Sequence, residues 1–114
     1  MKNRDVSEFL QDMLEAIQEI EAFTAGVDFE AFQGNREKIL AVVKLLEILG
    51  EAVKQIPDEL RDQYPHIAWS AIAGMRNILV HEYWGIDVEV VWASVQEDVP
   101  MLKAVVTEML SEKR

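Results

Sequence analysis

Four residues within Arg76-Asn77-Ile78-Leu79-Val80-His81-Glu82-Tyr83 carry the groups best suited to chemistry: Arg76, Asn77, His81 and Tyr83. The Arg76 guanidinium can hold a phosphate through a forked pair of charge-assisted hydrogen bonds. The His81 imidazole can move a proton near neutral pH. Metal-free cleavage of a phosphodiester needs those two parts, charge stabilisation and proton transfer. Asn77 adds a carboxamide and Tyr83 a phenol. Each residue alone has a plainer reading. Arg76 could serve a surface ion pair, and His81 could be a helix-end residue favoured by the dipole. Asn77 could bond locally, and Tyr83 could be a core edge with its tip in water. Gathered on one helix before Gly85, they point to a site.

The rest of the chain offers less. His66 follows Pro65 at a predicted helix start and reads as structural, and Trp69 and Trp92 read as packing. Glu47 and Glu51 could face a cleft, but nothing marks them as a carboxylate pair. With no cysteine there is no thiolate nucleophile and no Cys-based zinc site. No His-x3-His or Glu-x-x-His cluster stands in a suitable place, and no glycine-rich phosphate loop or Ser-His-Asp set is present. No metal and no cofactor are expected.

The elements that must position these groups are helical throughout. The first helix is expected to start at Asp5, with Glu8 completing a capping box, and to end at Gly26. Asp28 to Gly34 is a short connection with room for one helical turn. The second helix is predicted over about 35–55, with an apolar arc wider than the first and so a more central place. Gly50 lies inside it, which implies a close helix crossing or a local break. Pro57 to Leu60 forms a short turn. The third long helix is predicted from about Pro65 to Trp84, with Gly85 as its stop. Asp87 caps the last helix, which Pro100 must kink or restart. The expected fold is all-α, an up-down antiparallel bundle of four main helices plus a short one, in one domain over 1–114.

Unrolled at about 100° per residue, the third helix puts Ile67, Ala68, Ala71, Ile72, Met75, Ile78 and Leu79 on a core stripe. Arg76, Asn77 and His81 then face away from that core. Trp69, Ala73 and Val80 form a small apolar strip beside Arg76, of the kind that marks association. A two-fold homodimer on this face would bring two Arg76 and two His81 together, supplying one base and one acid.

The chain holds 21 acids against 11 bases, a net charge of −10. That argues against a broad nucleic-acid-binding surface, so any RNA must meet a local basic spot. A basic protein partner fits as well. The N-terminus does not read as a signal peptide, and no apolar run approaches the roughly 18 residues of a membrane span. A cytoplasmic location and no membrane partner are expected.

The motif and its flanks resemble the HepT-like family, within the HEPN superfamily of small helical bundles. The signature Arg-Asn-x3-His-x-Tyr stands complete as Arg76, Asn77, His81 and Tyr83. Gly50-Glu51-Ala52, Tyr64-Pro65, Ile67-Ala68-Trp69, Gly74-Met75, Val91-Trp92 and Asp98-Val99-Pro100-Met101-Leu102 also look like the family. The resemblance implies an HEPN-like bundle and the toxin of a type VII-like toxin–antitoxin pair. It implies a metal-independent endoribonuclease acting on RNA through Arg76 and His81, with Asn77 in support. It implies a homodimer, and a minimal nucleotidyltransferase antitoxin, MntA-like, that neutralises the toxin by transferring AMP to Tyr83. The competing reading is a non-catalytic, nucleotide-binding partner subunit of such a nucleotidyltransferase.

Overall fold

The computed structural model describes residues 5–74 and 86–112. Among these residues every regular element is a helix. Helix α1 spans Val6–Thr24. Asp5 is extended and accepts from the Ser7 N–H at 3.3 Å, while Glu8 accepts from the Asp5 N–H at 3.1 Å. This is the expected capping box, which satisfies N–H groups the helix itself leaves open. At the other end Gly26 turns the chain with φ of 71°, a left-handed conformation costly for any residue with a Cβ. Lys38 reaches back to donate to the Phe23 carbonyl at 2.7 Å.

The short connection holds helix α2, Phe29–Gln33, capped by Asp28 and ended at Gly34. Helix α3, Arg36–Val53, starts at Asn35, whose side chain accepts from the Lys38 N–H at 3.0 Å. Its wider apolar arc has the expected consequence. It buries Ile39, Val42, Val43, Leu45, Leu46, Leu49, Ala52 and Val53, and it packs against α1, α2 and the helical stretch Val88–Ala93. Helix α4 is the single turn Asp58–Arg61.

Helix α5 begins at Trp69 and is helical through Gly74. The predicted start at Pro65 is four residues too early. The Tyr64–Ala68 stretch is a turn, with Ile67 N–H donating to the Tyr64 carbonyl at 3.2 Å. The Trp69 indole N–H points to both the Arg61 and the Tyr64 carbonyls, each at 3.0 Å. That tie folds the first residue of α5 back over the preceding turn, so the helix begins only there.

Helix α6, Val88–Ala93, is capped by Asp87 as expected. It runs through a π-turn, Ser94–Asp98, into helix α7, Val99–Glu112. Pro100 has no N–H and its ring would clash with the carbonyl four residues back. The wider π-turn falls just before it, with Val99 N–H donating to the Ser94 carbonyl, and makes room where that clash would arise. The helix does not break and restart: Ala93, Ser94 and Val99 at the joins all keep right-handed helical angles.

Leu10, Met13, Ile17 and Ile20 of α1 face Val42, Leu46 and Leu49 of α3, with Leu102, Val106 and Met109 of α7 closing the core. Lys103 bridges α7 to α1 by donating to both Glu21 carboxylate oxygens at 3.0 Å. The described helices form the all-α bundle that the periodicity predicts.

The unrolled face of α5 needs correction. Ile72 is buried as expected, but Ala68 and Ala71 are exposed. Trp69 and Ala73, placed outside by the unrolling, are half-buried and pack against the core. The Trp69 indole bonds and a close crossing with α3 set the rotation of this helix, and neither is visible to a projection of one helix.

Candidate active site

Arg76, Asn77, His81 and Tyr83 lie in 75–85, outside the described residues. The structure does describe the frame on either side. The approach is α5, which crosses α3 at Gly50. A Cβ at Gly50 would stand 2.9 Å from the Ile72 carbonyl oxygen and 3.4 Å from that of Ala73. Of the two explanations for a glycine inside α3, the close crossing holds, and the helix runs unbroken past it. The exit is Ile86 and the Asp87 cap of α6.

Beside that crossing, α1 and α3 leave an open groove of about 490 Å³. Phe9, Ile48 and Ala52 supply apolar walls, and Asp12, Glu47, Glu51 and Lys44 supply charge. Lys44 stands 4.0 Å from Glu47, and Lys54 stands 3.6 Å from Glu51. Three carboxylates thus line this groove, with two ammonium groups paired beside Glu47 and Glu51. The sequence singled out Glu47 and Glu51 for a possible cleft and missed Asp12. Its only signal was its place three residues after Phe9 on the same helix face. Among the described residues no three His, Asp and Glu side chains come together as a metal site.

Two described groups have perturbed acidity. Burial holds the Tyr64 phenol above its ordinary pKa, and the nearby Glu108 and Glu112 carboxylates raise it further. Burial also raises the Asp98 carboxyl in the π-turn, with Glu97 beside it adding to the effect. Trp92 packs as expected, with ring centres 5.1 Å from Phe32 and 6.0 Å from Phe29. His66 is exposed, its ring 6.4 Å from that of Tyr64.

The family model described as "Ribonuclease HepT-like" matches residues 13–109. A protein of Methanocaldococcus jannaschii named "Putative RNase MJ1216" is 43% identical over 103 residues, covering 90% of this chain and 85% of its own. "Probable ribonuclease HepT" of Thermococcus cleftensis is 44% identical over 100 residues, covering 88% of this chain and 91% of its own. "Putative RNase TTE0752" of Caldanaerobacter subterraneus subsp. tengcongensis is 34% identical over 106 residues, covering 93% and 95%. No solved structure matches. A match spanning the bundle from α1 to α7, with relatives of similar length and high identity, decides the family: this chain belongs to the HepT-like ribonucleases.

Proposed function

We propose that this HepT-like ribonuclease is a metal-independent endoribonuclease whose reaction is carried by Arg76 and His81, with Asn77 in support. The observation that carries the reading is the complete Arg76-Asn77-x3-His81-x-Tyr83 signature in a chain that the family model covers from 13 to 109. In the reaction, a ribose 2′-hydroxyl attacks the adjacent phosphorus and the 5′-oxygen leaves. One imidazole takes the hydroxyl proton and another returns a proton to the leaving oxygen. Arg76 meets the charge that builds on the phosphoryl oxygens. Each chain has one His in the motif, so acid and base together call for a homodimer with the two motifs facing.

The protein is the toxin of a cytoplasmic toxin–antitoxin pair in this reading. Its antitoxin is a minimal nucleotidyltransferase that adds AMP to Tyr83. The phenol oxygen attacks the α-phosphorus of ATP, pyrophosphate leaves, and the new anion competes with RNA for Arg76. The chain has two tyrosines. Tyr64 is only 8% exposed, so it is a poor acceptor, which supports Tyr83.

Purified protein incubated with single-stranded RNA tests the catalytic assignment. Arg76→Ala and His81→Ala should each lose cleavage by about 100-fold or more. Equal cleavage by His81→Ala would sink the assignment and favour the non-catalytic nucleotide-binding subunit. After mixing with the nucleotidyltransferase and ATP, intact mass should rise by one AMP for the native chain and stay unchanged for Tyr83→Phe. A gain on Tyr83→Phe would move the acceptor elsewhere.

A further inference from the structure

We infer that Gly50 is a positioning residue for the reaction, one that fixes how closely the helix leading into the motif lies against α3. The inference rests on the reading of Arg76 and His81 given above. What stands opposite Gly50 is backbone. The Ile72 carbonyl oxygen is 2.9 Å from where a Cβ would sit, closer than real Cβ contacts, and the Ala73 oxygen is 3.4 Å away. A side chain can rotate out of such a contact, whereas a carbonyl moves only with its helix.

An alanine here therefore pushes α5 outward by about 0.5 Å, the difference between 2.9 Å and an ordinary contact of 3.4 Å. Arg76 follows Ala73 by three residues, a stretch of at most about 11 Å even when fully extended. A displacement at Ala73 thus enters the motif at its first catalytic residue. Sites lose catalysis when their groups stray by roughly 0.5 Å, and 1 Å can cost about 100-fold. Alanine would otherwise favour the helix of α3, so fold and reaction should respond differently to the same methyl group.

Three variants beside the native chain test this, with kcat and KM measured on a fluorescent single-stranded RNA and folding followed by circular dichroism. Gly50→Ala opens the crossing from α3. Ala73→Val enlarges a half-buried side chain on the residue of α5 whose backbone faces Gly50. Val106→Ala destabilises α7, on an element remote in sequence from the crossing. Gly50→Ala and Ala73→Val should retain helical spectra, hold KM within roughly threefold, and lose kcat by about tenfold or more. Val106→Ala should melt earlier yet keep its kcat below its melting point. A native kcat in folded Gly50→Ala overturns the inference, as does a native kcat in Ala73→Val should Gly50→Ala not fold. Failure of both to fold overturns it too, because the crossing would then serve the whole fold. Undiminished cleavage by Arg76→Ala and His81→Ala would instead overturn the reading of the site. Loss in that pair with a native Gly50→Ala would overturn the positioning role alone.

Discussion

Asp98 shows how one side chain links local geometry to pH. It lies in the π-turn that precedes Pro100, half-buried and next to Glu97. Burial and then Glu97 raise its pKa in the fold. Between its ordinary value and the raised one, the folded chain holds a proton that the unfolded chain has lost. Stability therefore falls as pH climbs through that window and stays lower above it. Asp98→Asn should raise the melting temperature at neutral pH and make no difference well below pH 3.8, where both states hold the proton. Equal melting of the two chains at neutral pH would contradict this. The motif residues are the opposite case. Their types and spacing were legible from the chain alone, because charge, proton affinity and donor count belong to the residue. Their mutual geometry does not.

Among the elements, boundaries were legible wherever a local hydrogen bond sets them. Asp5, Asp28, Asn35 and Asp87 each cap a helix by accepting from an N–H two or three residues on. Such a cap needs nothing beyond one turn of chain. Asp5→Ala should cost about 1 kcal/mol of stability, read as a lower urea midpoint with an unchanged slope. No change in midpoint would show that the capping box contributes nothing to the fold. The start of α5 escaped this logic. It depends on a Trp69 indole reaching the Arg61 and Tyr64 carbonyls, a contact across α4 and the turn that follows it. The rotation of α5 escaped for the same reason. A helical projection assumes that apolar residues turn inward. Here Ala68 and Ala71 stay exposed while Trp69 and Ala73 pack on the core.

For the whole molecule, charge is the main unrelieved force. A net charge of −10 on a body 41 Å long repels itself at low salt. Raising sodium chloride from about 0.01 M to about 0.15 M shortens the screening length from about 30 Å to about 8 Å. The Glu21–Lys103 bridge weakens slightly, being half-exposed on both sides. Relief of the net repulsion should outweigh that loss, so the melting temperature should rise across this range. A fall would mean that local ion pairs dominate. Charge also bears on substrate. A chain this acidic offers phosphate no broad docking surface, and the proposed function therefore relies on Arg76 as a local cation.

The sequence by itself determined the helical class, the caps at Asp5 and Asp87 and the glycine stop after α1. Each of these depends on residues within a turn or two, or on the nature of a single side chain. Tertiary structure alone decided where α5 begins, which way it faces, that Asp12 joins Glu47 and Glu51 in one groove, and that Gly50 is needed for a contact with backbone. Those features arise between segments distant in the chain. Their distances follow from how whole helices pack, and no local pattern encodes them.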